Sequence, residues 1–287
     1  MRVRVTLTLT RAAVTAAALL AAAALLAAAV LGATPAAAVA DGTPATPGQY
    51  PFAVKLAMTH IPRPDGTFYN SACSAALISP TWIITAGHCF HDVSRVPVSG
   101  PVPYDTTATL NTVDASHTPG EIRNVISVQQ AGTTDIAVAQ LSAPVTDVAP
   151  LGLSDTKPAP GRVLTIAGWG ATSSINPTPG TQLFTGQVKI QTVTAATVTV
   201  VGYRPAADTS ACLYDSGAPY FTTTHQRAAR LVSVESNGPD CPHTAAETTA
   251  RVDTVATWIT TVVPDLPCAD RWTTPTGQPA AASDGSE

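Results

Sequence analysis

An all-β fold is what this sequence predicts, and three observations carry the prediction. From Gln49 to about Val201 the chain runs in short segments rich in Val, Ile, Thr and Ala, each broken within about ten residues by Pro, Gly, Asn or Asp. The 287 residues include 25 prolines, which leave little room for long helices. One late stretch alone has helical periodicity. Short strands with regular turn punctuation build a sandwich or a barrel, and the length suffices for one large domain or two modest ones.

Taken in order, residues 1–40 read as a leader. Arg2, Arg4 and Arg11 precede a run of almost pure Ala, Leu and Val from Ala12 to Leu31, and Gly32 to Ala40 is rich in small residues. Charged, apolar and small-residue zones in that order describe a secretory signal peptide. A membrane anchor is the competing reading, because about twenty apolar residues rising 1.5 Å each can span a bilayer; the small-residue exit favours cleavage. The strand segments follow at Phe52–Met58, Ala75–Ile78, Trp82–Thr85, Ile136–Leu141, Val163–Ala167 and Gln187–Val201. Between them, Ser154–Gly161 has the Asp, Pro and Gly content of a crossing linker. Near the end, Val252, Val255, Trp258, Ile259 and Val262 share one helical face, and Pro264 stops the run. The expected organisation is a signal peptide over 1–40, a folded domain over 41–263 and a flexible tail over 264–287 with little to bury.

Without the leader, twelve basic side chains face nineteen acidic ones, a net charge of −7. An acidic chain with no Lys/Arg cluster is a poor partner for nucleic acid or anionic lipid. Export places Cys73, Cys89, Cys212, Cys241 and Cys268 where disulfides persist. Zinc is the competing use of cysteine beside His88 and His91, but no Cys-x-x-Cys pair is present, so no metal is expected.

Three segments carry chemistry: Thr85-Ala86-Gly87-His88-Cys89, Asp135-Ile136-Ala137 and Asp215-Ser216-Gly217-Ala218-Pro219. A neutral serine hydroxyl is a poor nucleophile; it needs a base within hydrogen-bond reach and an anion that holds the base's tautomer. Each residue alone reads as packing or turn chemistry. An α/β-hydrolase is excluded, since Ser216 lacks the G-x-S-x-G elbow and that fold orders its triad Ser, Asp, His.

In the order His, Asp, Ser, these stretches resemble the chymotrypsin-like (trypsin-like) serine proteases, a group whose triad is a standard worked case. Gly42-Thr43-Pro44-Ala45, Tyr50-Pro51-Phe52, Gly168-Trp169-Gly170 and Val232-Ser233 add to the likeness, which spans roughly Val39–Val262. The resemblance implies two packed six-stranded antiparallel β-barrels with a C-terminal helix. It also implies a catalytic set of His88, Asp135 and Ser216, with no cofactor, and an oxyanion hole from the amides of Tyr214 and Ser216. Further implications are disulfides Cys73–Cys89 and Cys212–Cys241, leaving Cys268 odd, and Asp215 as partner of a freed N-terminus, Val39 if cleavage follows Ala38. The substrate pocket is expected to involve Ser210 at its base, Ser233 hydrogen-bonded to the buried aspartate, and Glu235 narrowing the wall. A neutral Ser210 favours an apolar residue before the cleaved bond, whereas a carboxylate from Glu235 or Glu247 in the pocket would favour a cation. Tyr214 departs from the family, which has glycine there. Two readings follow: a secreted, monomeric endopeptidase acting on proteins or peptides with no lasting membrane association, or a protease-like fold with weak or lost turnover that serves as a binding protein.

Overall fold

The computed structural model describes residues 38–224 and 227–266, so residues 1–37 of the expected leader, Cys268 and the segment from 267 onward lie outside the described residues. The first six strands are β1 (Ala53–Pro62), β2 (Phe68–Ser79), β3 (Trp82–Thr85), β4 (Thr106–Leu110), β5 (Glu121–Gln130) and β6 (Ala137–Leu141). The next six are β7 (Val163–Gly168), β8 (Phe184–Val193), β9 (Thr197–Arg204), β10 (Pro219–Thr224), β11 (Arg227–Asn237) and β12 (Glu247–Arg251). All pair antiparallel within their group, and each group closes on itself, through β5–β6 in the first and through β8–β9 in the second. Closure leaves no open sheet edge.

Numbered from its own first strand, each barrel has the same ring order, 2-1-4-5-6-3. That repetition is structural; the sequence shows no internal repeat at solenoid or propeller periods. Alternation explains the half-buried strands: β4 reads buried, half-buried, buried, half-buried, buried along Thr106–Leu110. β2 differs, being buried on both faces from Ala72 onward, because its Ser74 amide donates to the Ser216 carbonyl of the other barrel.

The run Gln187–Val201, expected as one strand, is two strands joined by a turn. Thr194 makes it: its hydroxyl accepts hydrogen bonds from the Ala196 and Thr197 amides, so Thr-Ala-Ala turns without Gly or Pro. The chain passes between barrels at Leu151–Gly152. There the Leu151 amide still bonds Leu77 while Gly152–Leu153 already pair in parallel with Arg230 and Leu231, so Ser154–Gly161 runs along the second barrel. The late helix, α1, covers Ala256–Val262, with Ile259 buried and Trp258 and Val262 packed on the main core. Val252 and Val255 are buried in the turn before it.

Candidate active site

Three loops meet where the barrels face each other. His88 lies in a single 3₁₀ turn, Gly87–Cys89, after β3, and the Cys73–Cys89 disulfide ties that turn back to β2. Asp135 ends the tight connection from β5 to β6, and Ser216 lies in the loop between β9 and β10. His88 Nε2 is 2.9 Å from Ser216 Oγ, and His88 Nδ1 is 2.8 Å from Asp135 Oδ2. The His88 amide also donates to Asp135 Oδ1 at 2.8 Å, so one carboxylate holds both backbone and ring of the histidine. With Nδ1–H given to the carboxylate, Nε2 is left as the acceptor that faces the serine hydroxyl.

Burial pushes the Asp135 carboxyl up, but the hydrogen bond and charge of His88, the Ser236 hydroxyl and the His88 amide together outweigh it and hold the group below its usual value. The Ser236 hydroxyl donates to Asp135 Oδ2 at 2.7 Å. This corrects the expectation for Ser233, whose hydroxyl is fully buried and accepts instead from Thr249 at 2.8 Å. Chain spacing explains the difference: the serine that reaches Asp135 lies three residues beyond Ser233, one residue before the end of β11. The same shift moves Glu235 off the pocket wall. Its carboxylate, one residue before Ser236 and so on the opposite face of the strand, accepts from the Tyr220 hydroxyl at 2.8 Å inside the second barrel.

Tyr220 O–H also lies 2.6 Å from Glu247 Oε1. A phenol has one proton, so at least one of the two carboxyls must be protonated for both contacts to be hydrogen bonds. Burial first, and then the charge of Glu247, raise the Glu235 group; burial raises Glu247 to about 7. Glu247 Oε2 in turn accepts from the Ala211 amide at 3.0 Å. Ser210 is buried, its amide donates to Ala40, and its hydroxyl accepts from the His243 amide at 3.3 Å. The loop that carries Ser216 is thus fixed from below by buried acids and closed by the Cys212–Cys241 disulfide.

Asp215 anchors the same loop. It accepts from the amides of Gly170 at 2.8 Å, Cys212 at 3.0 Å and Val39 at 3.3 Å. Complete burial raises its carboxyl to about 7 against those three donors. The glycines of Gly168-Trp169-Gly170 make room for it, since a Cβ on Gly168 would lie 2.0 Å from Asp215 Oδ1 and one on Gly170 2.4 Å from Oδ2. Tyr214 sits at φ +73°, a left-handed conformation that is an outlier for an aromatic residue. Its carbonyl accepts from Ser74 Oγ at 3.3 Å. Among the described residues neither the Tyr214 nor the Ser216 amide donates a hydrogen bond, which leaves both available beside the serine. No cluster of His, Cys, Asp or Glu with metal-binding geometry occurs among the described residues.

Comparison with known proteins gives a consistent picture. A family model described as Trypsin matches residues 39–259. The chain is 26% identical to serine protease SSP1 of Scolopendra subspinipes over 79% of this chain and 85% of that protein. It is 28% identical to fibrinolytic enzyme isozyme C of Lumbricus rubellus over 63% of this chain and 80% of the relative. A match to brachyurin of Leptuca pugilator, 30% identical, spans 47% of this chain and only 57% of brachyurin.

Proposed function

The chain belongs to the trypsin family of serine proteases, and on that premise we propose that it is a secreted serine endopeptidase working through an acyl-enzyme. The observation that carries the reading is the continuous hydrogen-bonded line from Ser216 Oγ through His88 to Asp135. In it, Ser216 Oγ attacks the peptide carbonyl and passes its proton to His88 Nε2, while Asp135 stabilises the imidazolium. The oxyanion forms against the amides of Tyr214 and Ser216. His88 then gives the proton to the departing amine, and water repeats the sequence to release the acid. This chemistry requires no cofactor.

Maturation fits the same reading. Cleavage after Ala38 would free Val39, whose nitrogen lies 3.3 Å from Asp215, and an ammonium there would neutralise a buried acid. Export and action as a monomer on protein or peptide substrates belong to the proposal. So does a preference for an apolar residue before the cleaved bond: Ser210 is neutral, and Glu235 and Glu247 are already engaged by Tyr220 and the Ala211 amide.

The test is covalent labelling by an organophosphonate together with hydrolysis of a small ester. Parent protein should label at Ser216 and turn over, and Ser216→Ala should do neither. Failure of the parent and of Tyr214→Gly to label or hydrolyse would instead favour the binding-protein reading.

A further inference from the structure

The cleft continues past the Cys73–Cys89 bridge into a cavity of about 230 Å³. Its lining includes Ser216 and His88, which touch each other, with Tyr214, and a second group of Tyr69, His91 and Arg95 whose members also touch. Tyr69 is the hub of that second group. The guanidinium of Arg63 lies 4.6 Å and that of Arg95 5.3 Å from its ring centroid. His91 Nδ1 is 2.6 Å from the Asp92 carbonyl and therefore carries the proton, which makes Nε2 an acceptor facing the Tyr69 hydroxyl and Arg95, each at 3.4 Å.

Among the described residues no carboxylate forms an ion pair with Arg63 or Arg95. The acids closest in sequence are spent on local turns: Asp65 on the amide and hydroxyl of Thr67, Asp92 on the amides of Ser94 and Val96. Arg95, a lining cation with no ion-pair partner among the described residues, runs against the net negative charge of the chain, whereas Arg63 lies outside the lining and its charge acts on Asp65. The side of the cleft follows from the chemistry. Since the departing amine takes its proton from His88 Nε2, the peptide it carries runs over the His88 turn and its disulfide, into this cavity.

We propose that this cavity is a leaving-group-side subsite for a carboxylate, with Arg95 as the specificity-determining residue, so that the enzyme favours an Asp or Glu within the first three residues after the cleaved bond. The inference rests on the reading of Ser216 as nucleophile given above. A free C-terminus presents the same chemistry, and the experiment separates the two sources. Quenched peptides identical before the cleaved bond would carry Asp, Glu, Gln or Lys at the first, second or third position after it, each as the C-terminal amide and as the free acid. An acid-over-Gln ratio in kcat/KM of about tenfold at one position, in amidated peptides and shrinking with added salt, is expected. Arg95→Gln should remove the ratio and Arg95→Lys should keep part of it. Preference confined to free-acid peptides would assign the site to a C-terminal carboxylate and overturn the side-chain assignment. Equal rates for acid and Gln at all three positions, or a ratio that survives Arg95→Gln, would overturn the subsite while leaving the hydrolase reading intact. Absence of phosphonate labelling would overturn both.

Discussion

The two barrels share a strand order but differ in what they bury. The first packs an apolar interior of Leu56, Leu77, Ile83, Ile84, Leu110 and Ile136 and offers His88 and Asp135 from its rim. The second buries Asp215, Tyr220, Glu235, Glu247 and Arg251, and pairs Arg251 with Asp253 at 2.6 Å. A base and its carboxylate need only direction and tautomer, which apolar packing and two short hydrogen bonds supply. A loop that must hold Tyr214 at positive φ is a different task, and here it is held by buried acids, at a cost in desolvation. The orientation of His88 in the first barrel and that of the Ser216 loop in the second are set by different physics.

Breaking the first barrel's contribution should have the largest effect. Asp135→Asn leaves the packing intact but reverses the hydrogen bond that sets the His88 tautomer, and kcat should fall by about 10⁴-fold with little change in thermal midpoint. A fall of tenfold or less would show that Asp135 does not orient His88.

The next test crowds the second barrel. Gly168→Ala puts a Cβ 2.0 Å from Asp215 Oδ1, whereas in Gly87→Ala of the first barrel the Cβ meets the flexible end of Gln130 at 2.5 Å and stands 3.1 Å from Asp135 Oδ1. Displacing Asp215 disturbs the Tyr214 amide, so ester turnover should drop about 100- to 1000-fold in Gly168→Ala, as for loss of one oxyanion donor. Gly87→Ala should lose much less. Equal losses would erase the contrast between the barrels.

A pH series sharpens it. Acids whose folded pKa is raised keep protons that the unfolded chain has released, so their contribution to stability is whole below about pH 4 and is lost as pH rises toward about 7. Urea unfolding of the Ser216→Ala chain should therefore show stability declining across that window, by on the order of a few kcal/mol. Glu247→Gln should flatten part of the decline, and a free Val39 ammonium, which stabilises the Asp215 anion, should flatten another part. A profile unchanged by Glu247→Gln would mean that the carboxyl is not the titrating group.

The smallest effect separates two serines on one strand. Ser236→Ala removes a donor from Asp135 and should slow kcat/KM by about tenfold while moving its acid limb to higher pH. Ser233→Ala should leave the limb in place and cost only about 1 kcal/mol of stability through Thr249. The opposite pattern would restore the Ser233 assignment.

Much of this was legible in the linear chain. His88, Asp135 and Ser216, which the fold brings within hydrogen-bond distance, each sit in a short motif whose neighbours serve local geometry. The disulfides Cys73–Cys89 and Cys212–Cys241 came with the family likeness. Runs rich in Val, Ile, Thr and Ala, punctuated by turn residues, marked β1–β3 and β6–β9, since composition and punctuation are local properties. What lay beyond reach was register. Nothing local distinguishes Ser233 from Ser236, because the choice depends on where β11 leaves the barrel relative to Asp135, 101 residues earlier in the chain. The turn at Thr194 was hidden because a threonine hydroxyl replaced the expected Gly or Pro. The buried set of Tyr220, Glu235 and Glu247 was equally invisible: an acid reads as solvent-facing until closure of a barrel takes water away from it. Residue type and short spacing thus determined the chemistry available to this protein, while the tertiary structure decided which hydroxyl and which carboxylate take part, because distance across a barrel and access of water are properties of the closed fold alone.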